Sequence, residues 1–288
     1  MDYVLVSIGT IPTYLDKTIN TILSVDKNSK IYLCTDQTVE FKNVKIINLN
    51  EIISLQTKKI SDQNIYKGTI FESNPLWITS LLRIFYLRDF QRSLNKTSIV
   101  HFDNDILIYK SFDEISDQFH SSKFCITPAS KNRLIFGYSY IPNIDNFEKI
   151  CDALEKLIDK GINENWEFNN FSPHNEMDLL GMIYNQNDAL FHLLPTLPYY
   201  SNIIFDPLDY GRYIDGSHTK PKKFFSTRRE LDFNQNIGVE LYSKRIKTKF
   251  ENYLPKVVWE KEEFTLSNLH IHSKRFEKFL PKNYKSYI

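Results

Sequence analysis

Glycine and cysteine are both scarce in this chain, and what is missing excludes several classes of protein. Among 288 residues there are 8 glycines and no G-x-x-x-x-G-K stretch, which excludes a P-loop enzyme. The three cysteines, Cys34, Cys125 and Cys151, are far apart and odd in number, and no pair has the spacing of a metal site. We therefore expect three reduced thiols in an intracellular protein, not a disulfide framework.

A charge excess, a leader peptide and a long apolar run are also missing. The 36 basic residues nearly equal the 35 acidic ones, whereas a nucleic-acid-binding protein usually shows a basic excess. The first residues, MDYVLVSIGTIP, have no positively charged region before an apolar one, and no apolar stretch is long enough to span a bilayer. We expect a cytoplasmic protein without a transmembrane segment, whose basic aromatic tail could touch the inner face of a membrane.

The order of patterns along the chain predicts an α/β fold. With 42% hydrophobic residues the chain can bury a core, and its first third alternates strand and helix patterns, as in a Rossmann-like, mostly parallel sheet. The predicted strands are 3–8, 30–35, 44–49, 98–102, 123–127, 190–194 and 266–273. The predicted helices are 14–25, 75–90, 146–160 (ended by Gly161) and 176–184, and the segments 54–74 and 206–236 are predicted as loops.

The stretch VHFDNDILIY, residues 100–109, interrupts an apolar run with two carboxylates. On an extended strand Asp103 and Asp105 would point to one face, where like charges repel unless a cation lies between them. Mg²⁺ and Mn²⁺ prefer oxygen ligands and bridge carboxylates to phosphates. An Asp-x-Asp triplet alone is weak evidence and is often a polar strand end. The apolar flanks, and the binding of ligands at the carboxyl ends of strands in open α/β sheets, favour a metal site.

A second polar face occurs near the C-terminus, in LHIHSK. On an extended strand His270, His272 and Lys274 share one face, while Leu269 and Ile271 share the other. Imidazole is a metal ligand and a lysine supplies a point charge to phosphate. The alternative is an exposed strand face. The pattern leaves both histidines as candidate metal ligands, with His272 preferred.

Several of these segments resemble nucleotide-sugar-dependent glycosyltransferases of the GT-A fold. LLRIFYL followed by VHFDNDILIY is similar to the retaining group that includes glycogenin and bacterial galactosyltransferases. NLHIHSKRFEKF and FDPLDYGRYIDG are similar to segments of uncharacterised bacterial and large-virus glycosyltransferases. The His-x-His-x-Lys spacing departs from that of the glycogenin group, so the resemblance does not say which histidine binds the metal.

The resemblance implies a mixed, mostly parallel sheet flanked by helices, with a smaller C-terminal acceptor lobe. It implies one domain over 1–288, in which 1–127 form the nucleotide-sugar-binding half. Residues 128–288 form the acceptor-binding half and carry the C-terminal metal and phosphate strand. It also implies Mn²⁺ or Mg²⁺ held by Asp103 and Asp105 together with His270 or His272. The residues assigned to the donor are Ile8, Gly9, Thr10, Arg83, Asn104, Arg212 and Lys274.

The stretch FSPHNEMDLLG supplies candidates for a catalytic group. Glu176 and Asp178 stand at a loop-to-helix junction, where acids are also favoured by the helix dipole alone. In the functional interpretation, one of them contacts or deprotonates the acceptor hydroxyl. Asp178 is preferred because it matches the acidic position of related sequences better, and His174 is a third candidate. Farther along, Arg212 could reach phosphate or acceptor and Tyr213 could stack on a sugar ring.

The sequence thus predicts a metal-dependent hexosyl- or pentosyltransferase of polysaccharide biosynthesis. It would move a sugar from a UDP- or GDP-sugar to a hydroxyl of a glycan or polysaccharide acceptor. The nearest alternative is a metal-dependent sugar-phosphate nucleotidyltransferase, although SIGTIPTYL lacks the Gly-rich loop of such enzymes. A glycoside hydrolase would normally place its carboxylates across a cleft. A catalytically dead binding protein of the same fold is the last alternative.

Overall fold

Twelve strands and nine α-helices lie within residues 1–63, 65–163, 175–214 and 235–287, which are the residues that the computed structural model describes. The strands are β1 (Asp2–Ser7), β2 (Lys30–Thr35), β3 (Val44–Asn48), β4 (Ile99–His101), β5 (Ile106–Ile108), β6 (Phe124–Ser130), β7 (Arg133–Ile141), β8 (Phe191–Leu193), β9 (Ile246–Glu251), β10 (Leu254–Trp259), β11 (Glu262–Thr265) and β12 (Asn268–His270). The α-helices are α1 (Leu15–Val25), α2 (Leu49–Ile52), α3 (Leu55–Asp62), α4 (Leu76–Ser93), α5 (Phe112–Ile115), α6 (Ile144–Asn163), α7 (Glu176–Gln186), α8 (Tyr210–Tyr213) and α9 (Asn236–Tyr242).

Seven strands form one mixed sheet in the order β3-β2-β1-β4-β7-β6-β8. β7 is antiparallel to both of its neighbours, and the other pairs in the sheet are parallel. Because only β7 is reversed, β1, β4, β6 and β8 all end at the same edge of the sheet. The predicted α/β fold, with a mostly parallel sheet flanked by helices, is therefore confirmed.

The central strand β1 is buried on both faces, which explains its continuous apolar sequence. Val4 and Val6 lie in a hydrophobic cluster with residues of α4, whereas Tyr3 and Leu5 lie in a second cluster with residues of α1. Full burial of such side chains contributes roughly 1.5–3 kcal/mol each. The end of β1 is thereby held rigidly between two helical layers.

A two-stranded antiparallel sheet of β5 and β12 joins the C-terminal part of the chain to the Asp-x-Asp stretch. Its register pairs Asn268 with Ile108 and His270 with Ile106. Ile106 directly follows Asp105, so this register carries His270 to the aspartates.

A third sheet, β11-β10-β9, is antiparallel and packs near this pair. Its Ile246, Val257 and Phe264 share a core with Leu269 and Ile271. The sequence analysis did not predict this sheet or β7, although β9 (IKTKFE) alternates regularly between polar and less polar residues.

Several predicted elements differ from the structure. The strand predicted over 266–273 is only β12 (Asn268–His270), with a turn at His272 and Ser273, and the loop predicted over 206–236 contains α8. Helix α6 does not stop at Gly161 but continues to Asn163. A glycine inside a helix costs only about 1 kcal/mol relative to alanine, and α6 is held by the core that it shares with α4. The segment 54–74 contains α3, which Ser54 caps by accepting a hydrogen bond from the backbone N–H of Thr57. The N–H of Ser54 in turn donates to Asp89 Oδ2 at 2.9 Å, which ties α3 to α4.

The three cysteines are free and buried, as expected. Within the described residues, no helix combines the length and the apolar character that crossing a bilayer would need.

Candidate active site

A cleft of about 580 Å³ lies at the carboxyl ends of β1 and β4. Its walls come from distant parts of the chain: the end of β1, the Asp-x-Asp stretch, α4, the start of α7, the region of α8 and the residues that follow β12. Of the residues predicted from the sequence, those that line it are Ile8, Thr10, Arg83, Asp103, Asn104, Asp105, Glu176, Arg212, His270, His272 and Lys274.

The two aspartates project from a tight turn and not from a strand. β4 ends at His101 and β5 begins at Ile106, so the expectation of an extended Asp-x-Asp is wrong. The backbone N–H of Ile106 donates to the carbonyl of Asp103 at 3.1 Å, and the N–H of Asp103 donates to Phe136 O at 3.1 Å. The turn interrupts the apolar run without leaving these backbone groups unpaired.

Asp103, Asp105 and His270 form a group that could hold a metal ion. One ligand atom of each residue lies within 4.8 Å of the others, and His270 Nε2 is 2.8 Å from Asp105 Oδ1. His270 Nδ1 faces Pro207 O at 3.5 Å, in the way that a ligating histidine directs its second nitrogen to a backbone carbonyl. Two carboxylates and one imidazole are suitable ligands for Mn²⁺ and can also serve Mg²⁺.

His272 occupies a different position. Its Nε2–H donates to Leu208 O at 2.7 Å, and its ring stacks on that of His270 with centroids 4.3 Å apart. Burial, followed by the charge of His270, lowers the pKa of His272 to about 3. The geometry therefore favours His270 as the metal ligand, whereas the sequence analysis preferred His272. The ring of His272 instead packs against the ring of His270 and supports it.

Each aspartate has a protein cation as a partner. Lys274 forms an ion pair with Asp105 and lies 5.0 Å from the ring centroid of Tyr14. Arg83 forms an ion pair with Asp103 and lies 5.0 Å from the ring centroid of Phe136. Burial by itself would raise the pKa of Asp105. The charges and hydrogen bonds of His270 and Lys274 outweigh this and hold that pKa well below its usual range.

The buried carboxylate of Asp206 holds His270 in place from behind. Its Oδ2 accepts the backbone N–H of His270 at 3.0 Å and that of Gly211 at 3.1 Å, and its Oδ1 accepts that of Tyr210 at 3.0 Å. The Asn268 side chain donates to Asp206 O at 2.8 Å. The sequence analysis missed Asp206, although it is the second residue of the quoted FDPLDYGRYIDG stretch, because only the later residues were considered.

The residues assigned to the base and ribose lie at the end of β1. Asn104 ties the Asp-x-Asp turn to this end, because its Nδ2 donates to Val6 O at 2.9 Å. Gly9 has a φ of +80°, and its N–H donates to Asp36 Oδ1 at 2.9 Å. Ile8 and Thr10 line the cleft.

The two acids at the start of α7 are separated by the structure. Glu176 lines the cleft, and its Oε1 lies 3.8 Å from a terminal nitrogen of Arg83. Burial raises the pKa of Glu176, even though Arg83 opposes this. Asp178 is turned toward Arg133, whose Nε donates to its Oδ1 at 2.8 Å. Glu176, and not the preferred Asp178, is therefore the acid that faces the cleft.

Some predicted residues contribute elsewhere or cannot be described. Arg212 and Tyr213 belong to the short helix α8, and of these two Arg212 lines the cleft. His174 lies outside the described residues. Tyr14, Arg133 and Gln235 also line the cleft, and the sequence analysis missed all three. Tyr14 could have been suspected, because it follows the predicted first strand closely.

The chain was compared with known families and structures. No protein-family model and no curated protein matches it. Among solved structures, mouse xyloside xylosyltransferase 1 in its apo form has a TM-score of 0.43 and 11% identity, over 68% of this chain and 86% of that one. Galactosyltransferase LgtC in complex with donor and acceptor sugar analogues has a TM-score of 0.44 and 10% identity, over 68% of this chain and 74% of that one.

A third similar structure is the apo form of glycosyltransferase GlyE from Streptococcus pneumoniae TIGR4. Its TM-score is 0.40 with 14% identity, over 67% of this chain and 44% of that one. These similar structures are glycosyltransferases of the GT-A type, the family that the motifs of this chain resemble. At such TM-scores and identities, the likeness carries no argument about donor, acceptor or reaction.

Proposed function

We propose that this protein is a metal-dependent glycosyltransferase that moves a sugar from a nucleoside-diphosphate sugar to a hydroxyl of a glycan acceptor. The observation that carries this proposal is the convergence of Asp103, Asp105 and His270 within 4.8 Å, in a cleft that Arg83 and Lys274 also line. Carboxylates beside cations suit a ligand that brings both a metal ion and negative charge, which a metal-bound diphosphate does.

Asp103, Asp105 and His270 would hold Mn²⁺ or Mg²⁺. A bound divalent cation would supply charge neutralisation to the departing diphosphate. Lys274 and Arg83 now pair with the aspartates. If a cation neutralised those carboxylates, both side chains would become available to phosphate oxygens, and Arg212 lines the same cleft. Arginine offers phosphate a planar fork of donors, and lysine offers a point charge.

The nucleoside would lie at the end of β1. Ile8 and Thr10 form the wall of the cleft there, and Asn104 presents an Oδ1 atom that has no hydrogen-bond partner among the described residues. A buried acceptor of this kind is costly unless a donor reaches it. A ribose hydroxyl or a base N–H would supply that donor, and the positive φ of Gly9 lets the chain turn away from the ligand. In this arrangement residues 1–127 form the nucleotide-sugar-binding half, and 128–288 bind the acceptor and supply His270 and Lys274 to the metal and the diphosphate.

Glu176 is the group that we assign to the reacting end of the acceptor. Its side chain is buried, its Oε2 has no partner among the described residues, and it lines the same cleft. A carboxylate there can accept a hydrogen bond or a proton from the attacking hydroxyl. Asp178 acts one step away, by holding Arg133 in the cleft wall.

The first test is calorimetric titration of UDP and GDP, each with and without Mn²⁺, into the wild-type protein, Asp105→Asn and Asp62→Asn. Asp62 is an exposed acid at the end of α3 and serves as the matched control. We expect one nucleotide to bind only with Mn²⁺, to lose that binding in Asp105→Asn, and to keep it in Asp62→Asn. Metal-independent binding, or equal binding by Asp105→Asn, would contradict the proposal.

Product analysis separates sugar transfer from the nucleotidyltransferase alternative. Cleavage of a nucleotide sugar between the anomeric carbon and the diphosphate releases the nucleoside diphosphate. Nucleotidyl transfer would instead consume a nucleoside triphosphate and a sugar phosphate and release pyrophosphate. Release of UDP or GDP from a panel of nucleotide sugars, with no pyrophosphate from triphosphates, is the expected result.

A further inference from the structure

The carboxyl edge of the seven-stranded sheet carries a second cleft. It has a volume of about 620 Å³ and lies beside the ends of β6 and β8. The two strands separate there: the N–H of Leu194 still donates to Ile126 O at 3.0 Å, but beyond that point β6 pairs with β7 alone. The space between Pro128 on β6 and Pro195 after β8 is the cleft.

This second cleft adjoins the proposed active site. Along β7, Arg133 and Ile135 line the active-site cleft while Leu134 lines the second one. Where α9 begins, Gln235 lines the first cleft and Asn236 lines the second. Consecutive side chains of β7 point to opposite faces, so this strand separates the two clefts. At the start of α9 the two linings are direct neighbours along the chain.

An exposed aromatic ring stands at the second cleft. Tyr200 lines it and is 72% exposed. Its ring packs against Tyr199 at a centroid distance of 4.6 Å, and Tyr199 packs against Trp259 at 5.8 Å. The ring is thus backed by a row of aromatic side chains and is held at the surface. The CH face of a pyranose ring can pack on such a ring, since aromatic side chains offer a large apolar face.

The remaining lining combines apolar side chains, such as those of Leu193 and Leu194, with polar groups that are mostly uncharged. Gln118, His192, Ser201 and Asn236 offer amide, imidazole and hydroxyl groups, which suit ligand hydroxyls. Ser201 Oγ donates to Gln118 Oε1 at 3.1 Å, and His192 Nε2–H donates to Gln118 O at 3.0 Å, so these groups hold one another in place. Within the described part of the chain, Lys131 is the only Lys, Arg, Asp or Glu that lines this cleft.

A buried acceptor atom lies at the start of α9, where the linings of the two clefts are neighbours. Gln235 is 2% exposed, and its Oε1 has no hydrogen-bond partner among the described residues. Leaving such an atom unpaired is unfavourable, because it has lost its hydrogen bonds to water. A hydroxyl of a ligand that crosses from one cleft to the other would supply the missing donor.

We propose that the second cleft is a binding site for an uncharged oligosaccharide, whose end extends past the start of α9 toward the active site. This inference rests on the proposed function, because it makes the cleft the distal part of the acceptor site. It names the acceptor class as a neutral glycan longer than a disaccharide.

The test is binding of the labelled protein to an array of defined neutral and acidic oligosaccharides. The variants are Tyr200→Ala, Tyr200→Phe and Tyr253→Ala, and Tyr253 is an exposed tyrosine in the turn between β9 and β10. We expect the wild type to bind neutral oligosaccharides better than their mono- and disaccharide fragments. Tyr200→Ala should weaken this binding about tenfold, while Tyr200→Phe and Tyr253→Ala should leave it unchanged.

Absence of glycan binding, binding of acidic glycans alone, or equal binding by Tyr200→Ala would each overturn the inference. Titration of the same variants with nucleotide and Mn²⁺ separates this failure from failure of the proposed function. Tyr200→Ala should bind nucleotide like the wild type. If nucleotide binds and no glycan does, the second cleft is wrongly assigned. If glycan binds through Tyr200 and no nucleotide binds, the cleft stands and the transferase proposal falls.

Discussion

Nε2 of His270 lies 2.8 Å from Oδ1 of Asp105, and residues that touch neither atom set this distance. β12 places His270 opposite Ile106, and Asp206 accepts the backbone N–H of His270 at 3.0 Å. The ring of His272 stacks on the His270 ring. Metal affinity should therefore depend on the backbone around His270 as well as on the ligands themselves.

Gly211→Ala should weaken metal binding without removing a ligand. A Cβ at this position would lie 1.9 Å from the carbonyl oxygen of His270, so β12 would have to shift. We expect about 10- to 100-fold weaker Mn²⁺ binding, as for other residues that support metal ligands. The control is Gly181→Ala on α7. The new Cβ would lie 1.9 Å from the carbonyl oxygen of Asn132, away from His270. It should lower the free energy of unfolding but leave metal affinity near that of the wild type. Equal loss of metal binding in both variants would contradict this account.

Glu176→Gln should lower turnover more than Asp178→Asn does. Glu176 lines the cleft, whereas Asp178 acts through Arg133. A general base contributes about 10²–10⁴-fold, so we expect a loss in that range for Glu176→Gln, with unchanged nucleotide affinity. Burial raises the pKa of Glu176. As the pH is lowered, the wild-type rate should therefore begin to fall at a pH above the usual pKa of a glutamate. The measurement is the pH profile of nucleoside-diphosphate release. A larger loss in Asp178→Asn would return the role to Asp178.

Asp89→Ala should be strongly destabilising. Arg88 and Asp89 are both buried, and Nη2 of Arg88 lies 2.6 Å from Oδ1 of Asp89. The other carboxylate oxygen of Asp89, Oδ2, accepts a hydrogen bond from the Thr57 hydroxyl at 2.5 Å. Removal of the carboxylate leaves a guanidinium buried without its partner, which costs about 3–5 kcal/mol. Denaturant unfolding monitored by circular dichroism measures this loss.

Glu148→Gln is the control. Glu148 of α6 forms a partly exposed ion pair with Arg92, which lies on α4 as Arg88 and Asp89 do. Exposed pairs contribute at most about 1 kcal/mol. If Glu148→Gln lowered the free energy of unfolding as much as Asp89→Ala does, burial would not determine how much an ion pair contributes to stability.

The three thiols should not react with a thiol reagent in the native protein. Burial raises the pKa of Cys151 and of Cys125 to about 12, and that of Cys34 still higher. The thiolate is the reactive form, so an aromatic disulfide reagent at pH 8 should detect no thiol until denaturant is added, and then three. Rapid labelling of any one thiol in the native state would contradict their burial.

The same shifts give the stability a direction with pH. These groups keep their protons in the folded state while the unfolded chain releases them above its thiol pKa of about 8.5. The cysteines therefore stabilise the fold fully below that pH, and their contribution falls as the pH rises toward 12. Unfolding midpoints at pH 8 and pH 10 measure this, with Cys151→Ala expected to show the smaller decrease.

Local patterns carried much of the fold and the outline of the site. The alternation of apolar strands with amphipathic helices predicted the α/β sheet, because each pattern depends on residues close together in the chain. For the same reason, the apolar flanks of Asp103 and Asp105 were enough to mark an acidic pair beside a strand end. His270 and His272 do contact each other, but the chain turns at His272 and is not extended as the two-residue repeat predicted.

Tertiary structure decided which of the equivalent candidates faces the cleft. His270 and His272 have the same local pattern, and only the register of β12 on β5 brings His270 to Asp105. Glu176 and Asp178 stand two positions apart on a helix, so their side chains point in different directions and only the packing of α7 decides which meets Arg83 and which meets Arg133. The support from Asp206 likewise joins segments that are distant in sequence. Pairings between distant segments leave no periodic trace in either segment alone, which is why the sequence determined the elements and the fold determined the site.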